Sequence, residues 1–483
     1  MKLFNKFLLS VCFVLALVSC EKKLTDLQPI DQIPGEKAIK TMNDLTSAVN
    51  GIYATWSARR SIYISTLISD EARLGTGTGY RNVGNILFNW QHVSDSQDWR
   101  DDETGGVWTN LYAVIDRANR VLELMVPVPT ANATEATLKV QYRGEMLAAR
   151  AMAHLELLRC YSITAEYTPS ALGVVLQSSF SKNVASFRPA RNTQAEVMAL
   201  IDADLIAAKA AIPTSFTDIS RITRNAVIGA QVRAAIHVKN WQGVIDRANE
   251  VVPLQPLTPI ASYPAIWTTR TLASDQSTEV LWKLNVSLAN LGAAVGSLFQ
   301  DANGAVQASA AFKLSSTFNT VTDVRFPTFF RTGPGAVIVS AKYGAVPPAG
   351  ENFQYDIKMM RTSEMVLARA EANAELPTPN IVAANADLSL LRTNRITGYI
   401  HVPIVTKAAL IDEILLERYK ELCFEGQRYF DLRRRSLPIV RDVSDIGGIP
   451  TSQTLPVTDF HYILPIPNQE RQANPNIVQN VGY

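Results

Sequence analysis

The feature that most limits the folds open to this chain is the spacing of its apolar residues, which recur every three or four positions through most of its length. That is the period of a helix with one buried face, and it does not fit the alternation of a strand. Asp44 is a good N-cap for a helix that aligns Leu45, Ala48, Val49, Ile52 and Trp56 on one side. Trp108, Leu111, Tyr112, Ile115, Asn119 and Leu122 form a second stripe, stopped by Pro127 and Pro129. A long helix is expected from about Thr137 to Tyr161, where the clustered Ala148, Ala149, Ala151 and Ala153 let a neighbouring helix come close. Glu196 to Ile212, Asn225 to Lys239 and Trp241 to Val252 repeat the theme, the first of them ended by Pro213.

Successive antiparallel helix pairs with alanine-rich seams predict an all-α fold, a tetratricopeptide-like helix-pair stack, although the strict repeat consensus is absent. Two stretches interrupt it. Residues 60–106 and 253–355 are rich in loop-forming residues with isolated aromatics and read as long irregular insertions, the second carrying one strand-like run from Glu279 to Leu284. Insertions of this length usually carry function. Helices are expected again at Lys358–Asn373, Val382–Asn394 and Lys407–Arg435, before an extended, proline-rich tail from Ile449.

The chain begins with Lys2, Lys6 and a nearly continuous apolar run from Phe7 to Val18. The run suits a signal-peptide core and is too short for a bilayer span of ~20 residues. It ends in Leu17-Val18-Ser19-Cys20, the form of a bacterial lipoprotein box. There the Cys20 thiol takes a diacylglyceryl group, cleavage frees its amine, and the amine is acylated; an ordinary cleaved signal with a chance cysteine is the alternative. On this reading residues 1–19 are a signal peptide, 20–40 a lipidated leader and 41–483 a single body. Several acyl chains, at ~0.8 kcal/mol per buried methylene, anchor such a body without a transmembrane helix. The formal charge of +2 falls to zero once Lys2 and Lys6 leave with the signal, which argues against nucleic acid or anionic lipid as a main partner. Only Cys160 and Cys423 then remain unmodified, as two buried thiols or as a disulfide.

Three segments go beyond periodicity. The run from Ile414 to Arg434, with Glu417, Glu421 and Glu425-Gly426-Gln427-Arg428-Tyr429-Phe430-Asp431-Leu432-Arg433, closely resembles the signature helix of the SusD/RagB family. Leu464-Pro465-Ile466-Pro467-Asn468 and the closing Asn474 to Tyr483 resemble that family's C-terminal motif, and Arg361 to Ala372 its penultimate helix. Asn50-Gly51-Ile52-Tyr53, Trp108 to Leu122, Trp241 to Ala248 and Glu279 to Lys283 are similar in order. The family comprises outer-membrane nutrient-binding lipoproteins of Bacteroidetes-type bacteria. The resemblance implies a SusD-like body of four helix pairs carrying an irregular face, lipid-anchored to the outer membrane and facing outward. It implies capture of oligosaccharides, or in some members peptides, for a SusC-like TonB-dependent transporter, with no catalysis and no cofactor.

Glu417, Glu421 and Glu425 sit one turn apart and would repel on an exposed face, so arginine partners are expected beside them. A structural ion-pair network is preferred there over a ligand face. His92, His154, His237, His401 and His461 are scattered without metal-ligand spacing, and Gly75-Thr76-Gly77-Thr78-Gly79 lacks the rest of a phosphate loop. Carboxylates crowd residues 70–103, where a hydrolase remains the alternative to a binding rim. Sugar rings stack on aromatic planes while polar side chains bond their hydroxyls. The insertion supplies both, and the expected ligand contacts are Trp90, Trp99, Tyr80, Arg73, Asp70 and Arg81, with Tyr263, Trp267 and Phe299 as a second group. Trp90 and Trp99 could equally be core pins.

Overall fold

The computed structural model describes residues 38–74, 85–94, 102–180, 187–268, 278–286, 295–299, 308–333, 336–343 and 355–483. The expected signal peptide and Cys20, with the expected leader as far as residue 37, lie outside the described residues, as do Tyr80, Arg81 and Trp99.

Helix α1 (Met42–Thr55) starts one turn earlier than Asp44 suggests. Thr41 is the cap, and Asp44 closes a reciprocal capping box from the third helical position. Helix α2 (Arg59–Ile68) forms inside the stretch expected to be irregular. Every residue from Ile62 to Ile68 is buried, Ser65 and Thr66 included, so the segment shows no amphipathic stripe to read. Then follow α3 (Asp102–Leu124), α4 (Ala133–Tyr161), α5 (Gln194–Ala211), α6 (Arg224–His237) and α7 (Trp241–Val251). Helix α4 begins four residues before the expected Thr137 because the Asn132 side chain accepts the Glu135 amide at 3.0 Å.

Strands are short. β1 (Ala72–Leu74) pairs antiparallel with β3 (Ala308–Ala310), and β2 (Val280–Leu284) with β4 (Ile357–Arg361). The expected helix at Lys358–Asn373 is therefore strand in its first four residues, and α8 covers Thr362–Glu375. The partner strand is nearly 80 residues away, beyond any local pattern. Helices α9 (Ile381–Thr393), α10 (Lys407–Glu421) and α11 (Arg428–Arg434) follow.

Each helix from α3 to α8 packs on the next, α1 closes the stack against α3, and α8 also holds α9 and α10. Their contact is close where α4 meets α5: a Cβ on Gly144 would stand 2.9 Å from the Ala211 methyl and 2.8 Å from Ile212. One apolar core runs from Ile39 to Ile477, with a smaller cluster between α8, α9 and α10. Cys160 and Cys423 are buried, unbridged thiols. Among the described residues no helix is long and apolar enough to cross a membrane.

The signature segment, expected as one helix over Lys407–Arg435, breaks between α10 and α11. Phe424 has φ +62° and Gly426 φ +75°. The left-handed turn at a phenylalanine is held by tertiary bonds. The Phe424 amide donates to Glu71 Oε1 at 3.1 Å, and the Tyr343 hydroxyl donates to the Phe424 carbonyl at 2.9 Å.

Candidate functional site

The carboxylates of the signature segment point inward. Glu421 accepts from Arg361 Nη1 at 2.7 Å, Arg395 Nε at 3.1 Å, Arg325 Nη1 at 3.2 Å and the Tyr263 hydroxyl at 3.1 Å. Glu417 pairs with Arg325 and Arg392 at 2.6 Å each, and Glu425 with Arg361 at 2.6 Å and Lys342 at 2.7 Å. Burial alone would raise the Glu417 carboxyl, but Arg325, Lys420 and Arg392 outweigh it and hold it down at about 2. The preferred sequence reading, a buried ion-pair network, is what the structure contains. It ties β4, α9 and α10 together, with these carboxylates taken up by protein cations.

The insertion after α2 corrects several expected ligand contacts. Asp70 is 1% exposed and pairs with Arg428 at 2.7 and 2.9 Å and with Lys313 at 2.7 Å. Burial pushes its carboxyl up, yet those two cations hold it well below the usual range. Trp90 is 5% exposed, donates from Nε1 to the Ile68 carbonyl at 3.0 Å and lies under the Arg441 guanidinium at 4.3 Å. It is a core pin. Tyr263, Trp267 and Phe299 are likewise buried, packed on Phe329, Phe329 and Phe424 respectively. Arg73 is half-buried and donates to Ser309 Oγ at 3.1 Å across the β1–β3 pair.

Among the described residues Glu71, beside Asp70, has no cationic partner at hydrogen-bonding distance, and one of its buried oxygens has no hydrogen-bond contact. Burial, relieved in part by the Phe424 amide, pushes its carboxyl up to about 8. A raised acid stabilises the fold fully below its unfolded value near 4.5, and that stability is lost as pH rises through about 8. Glu71→Gln is therefore expected to flatten the stability profile between about pH 5 and 8, removing a slope of up to ~1.4 kcal/mol per pH unit. Urea midpoints measured across that range test this; an unchanged slope would show that Glu71 is already ionised.

The described residues form a more open polar cleft at the other end of α2. It has a volume of about 880 Å³, within the range of small-molecule sites, and is bounded by α1, α2, α3 and the approach to α6. Tyr53 and Arg221 form its floor. Both bond Glu145 of α4, the tyrosine hydroxyl donating at 2.5 Å and the guanidinium at 2.9 and 3.0 Å, so neither can swing away. Asn110 braces the α1–α2 turn, accepting from the Ser57 amide at 2.9 Å and donating to the Thr55 carbonyl at 2.8 Å. Asn50 and Asn285 present exposed amides at the rim, and Arg59, Arg60 and Asp218 add charge of both signs. An aromatic ring, fixed donors and exposed amides suit a hydroxyl-rich ligand.

Comparison with known proteins places the chain. Residues 339–483 match the model of the SusD family, and residues 27–234 match a second model described as starch-binding and associating with the outer membrane. The chain belongs to the SusD family. No curated protein sequence matches it. Among solved structures, a SusD superfamily protein from Bacteroides vulgatus aligns with TM-score 0.78 at 21% identity, covering 92% of this chain and 100% of its own. One from Bacteroides thetaiotaomicron gives 0.77 at 22%, covering 91% and 99%. A SusD-like carbohydrate-binding protein from Bacteroides vulgatus gives 0.75 at 20%, covering 91% and 98%. Likeness at these identities fixes the fold: the all-α, tetratricopeptide-like stack of this chain is a SusD-family stack.

On that SusD-family scaffold the cleft draws on residues 50–60, 110, 218–221 and 285, which are far apart in sequence. The sequence does not reveal it, because no one of these segments carries a motif of its own. One signal was visible: the Asn50-Gly51-Ile52-Tyr53 match contains two cleft residues and no obvious packing reason for Asn50.

Proposed function

We propose that this SusD-family protein captures oligosaccharides outside the cell. In this reading it is lipid-anchored to the outer membrane through Cys20 and passes its ligand to a SusC-like TonB-dependent transporter. The observation that carries the reading is the cleft of about 880 Å³ with Tyr53, Asn50 and Asn285 at its surface, on a chain whose first half matches a starch-binding family. The lipoprotein-box sequence at Leu17 to Cys20 supports the anchor. The role is binding without turnover. Arg73, with Tyr80, Arg81 and Trp99 after it in the chain, is proposed as a second contact region; α2, ten residues long, separates it from the cleft by roughly 15 Å. Asp70 and Trp90 are left out, since protein already occupies both side chains.

Calorimetry tests the cleft. Replacing both rim amides, Asn50→Ala with Asn285→Ala, is expected to weaken oligosaccharide binding by roughly tenfold or more, ~1.4 kcal/mol, with an unchanged circular dichroism spectrum. Unchanged affinity would move the site to the Arg73 region. Binding of oligopeptides in place of every glycan tried would overturn the ligand class.

A further inference from the structure

Five arginines converge on one small cavity inside the stack: Arg159 of α4, Arg233 of α6, Arg418 of α10, and Arg433 and Arg434 of α11. Four of them have a carboxylate. Arg159 pairs with Glu156 at 3.1 Å, Arg233 grips Glu364 with two bonds of 2.7 Å, and Arg418 grips Asp431 with two of 3.0 Å. Arg434 takes Glu371 at 2.6 and 2.7 Å and shares Asp431 at 2.9 Å.

Arg433 differs. It is 2% exposed; its Nη atoms donate to the backbone carbonyls of Arg159, Cys160 and Thr164, and its guanidinium lies beside Tyr429. No carboxylate pairs with it among the described residues. The neighbouring Cys160 thiol and Tyr429 phenol supply no charge either, because burial pushes the thiol well up and the phenol to about 12. Five guanidiniums therefore face four carboxylates, an excess of one positive charge in a place where an unbalanced charge is strongly disfavoured.

The same cavity collects donors that have no acceptor. Arg433 Nε and Arg418 Nη1 are both buried without a hydrogen-bond partner, as is Nε2 of His237, and all three side chains line the space. Burial, with Arg159, Arg433 and Arg434 nearby, pushes the His237 imidazole down to about 3, so it is neutral and can offer a single N–H. Glu364, Asp431 and the arginines are the charged groups facing it from the surrounding helices. The cavity volume is about 30 Å³, enough for a water or a monatomic ion and too small for sulfate or phosphate. Half-buried Ala165 lies at its edge.

We propose that this cavity is a binding site for one monovalent anion of halide size, held by Arg433, Arg418 and His237. The ion balances the fifth arginine and fastens α11 to α4 and α6. It lies apart from the proposed glycan cleft and does not depend on that reading.

The test uses the full mature chain. Crystals soaked in sodium bromide are expected to show an anomalous peak in the cavity. Thermal midpoints in sodium chloride or bromide are expected to exceed those in sodium gluconate of equal ionic strength by roughly 2 °C, from mass action on the folded state. His237→Leu, which removes one donor and fills the space, should keep the gluconate midpoint and lose the halide increment. A water in the cavity with equal midpoints in all salts would overturn the proposal. So would a bromide peak with no halide-dependent midpoint, which would mark an adventitious ion only.

Discussion

Glu421→Ala is expected to destabilise the protein by about 4 kcal/mol, the effect of stranding buried charge. Arg325, Arg361 and Arg395 are each at most 1% exposed, and Glu421 is the acceptor common to all three. Glu279, Glu417 and Glu425 would still neutralise part of the group, so the change falls short of complete unfolding. For a chain of this size the thermal midpoint is expected to drop by about 5 °C, read from far-ultraviolet circular dichroism. Glu421→Gln, which keeps the shape and some of the acceptors but not the charge, should fall between wild type and alanine. If alanine proved neutral, the network would be a by-product of packing and not what fixes β2, β4 and α10 together.

Arg441→Met is expected to have an effect of similar size and a more local reach. Arg441 is 1% exposed and donates to five backbone carbonyls: Leu67 at 2.7 Å, Ile68 at 2.9 Å, Ser69 at 3.0 Å, Phe88 at 2.6 Å and Ser452 at 3.1 Å. It also caps the rings of Phe88 at 3.8 Å and Trp90 at 4.3 Å. Ile68 keeps a second donor in Trp90, but the other carbonyls lose their partner, at about 1–3 kcal/mol for each buried group left unsatisfied. A loss of about 4 kcal/mol or more is expected, together with faster proteolytic cleavage between residues 67 and 92 while the helices of the stack stay protected. Resistance to cleavage equal to wild type would show that Trp90 and the β1–β3 pair hold the insertion without the arginine.

The sequence was informative wherever structure is local. The stripes through α1 and α3–α7 give the helices to within a few residues, because each buries one face against a neighbour. The one-turn spacing of Glu417, Glu421 and Glu425 demanded cations, and Arg325, Arg361, Arg392 and Lys342 supply them. What could not be read depends on distant partners. Residues 358–361 look helical and become strand because Val280–Leu284 lies alongside. Nothing around Phe424 announces a left-handed turn; Glu71 and Tyr343 impose it. Trp90 looks like an exposed loop aromatic, and only the carbonyl of Ile68 and the plane of Arg441 show that it points inward. The cleft was hidden for the same reason, being assembled from four separated segments.

The position of the signature segment near the end of the chain bears on when the protein can fold. Asp70 is buried early in the sequence, yet its bidentate partner Arg428 lies 358 residues later. Glu371 waits for Arg434, and the carbonyls at the end of α2 wait for Arg441. A ribosome-bound chain that lacks its last sixty residues leaves these polar groups with no way to be buried, so the native core cannot close around them. The native core is therefore expected to be completed only when the end of the chain is available. On the proposed reading of residues 1–19 as a signal peptide this is an advantage, because an export channel threads only unfolded chain. The arrangement of arginines that locks the finished molecule also acts as a timer, keeping it transportable until translation is over.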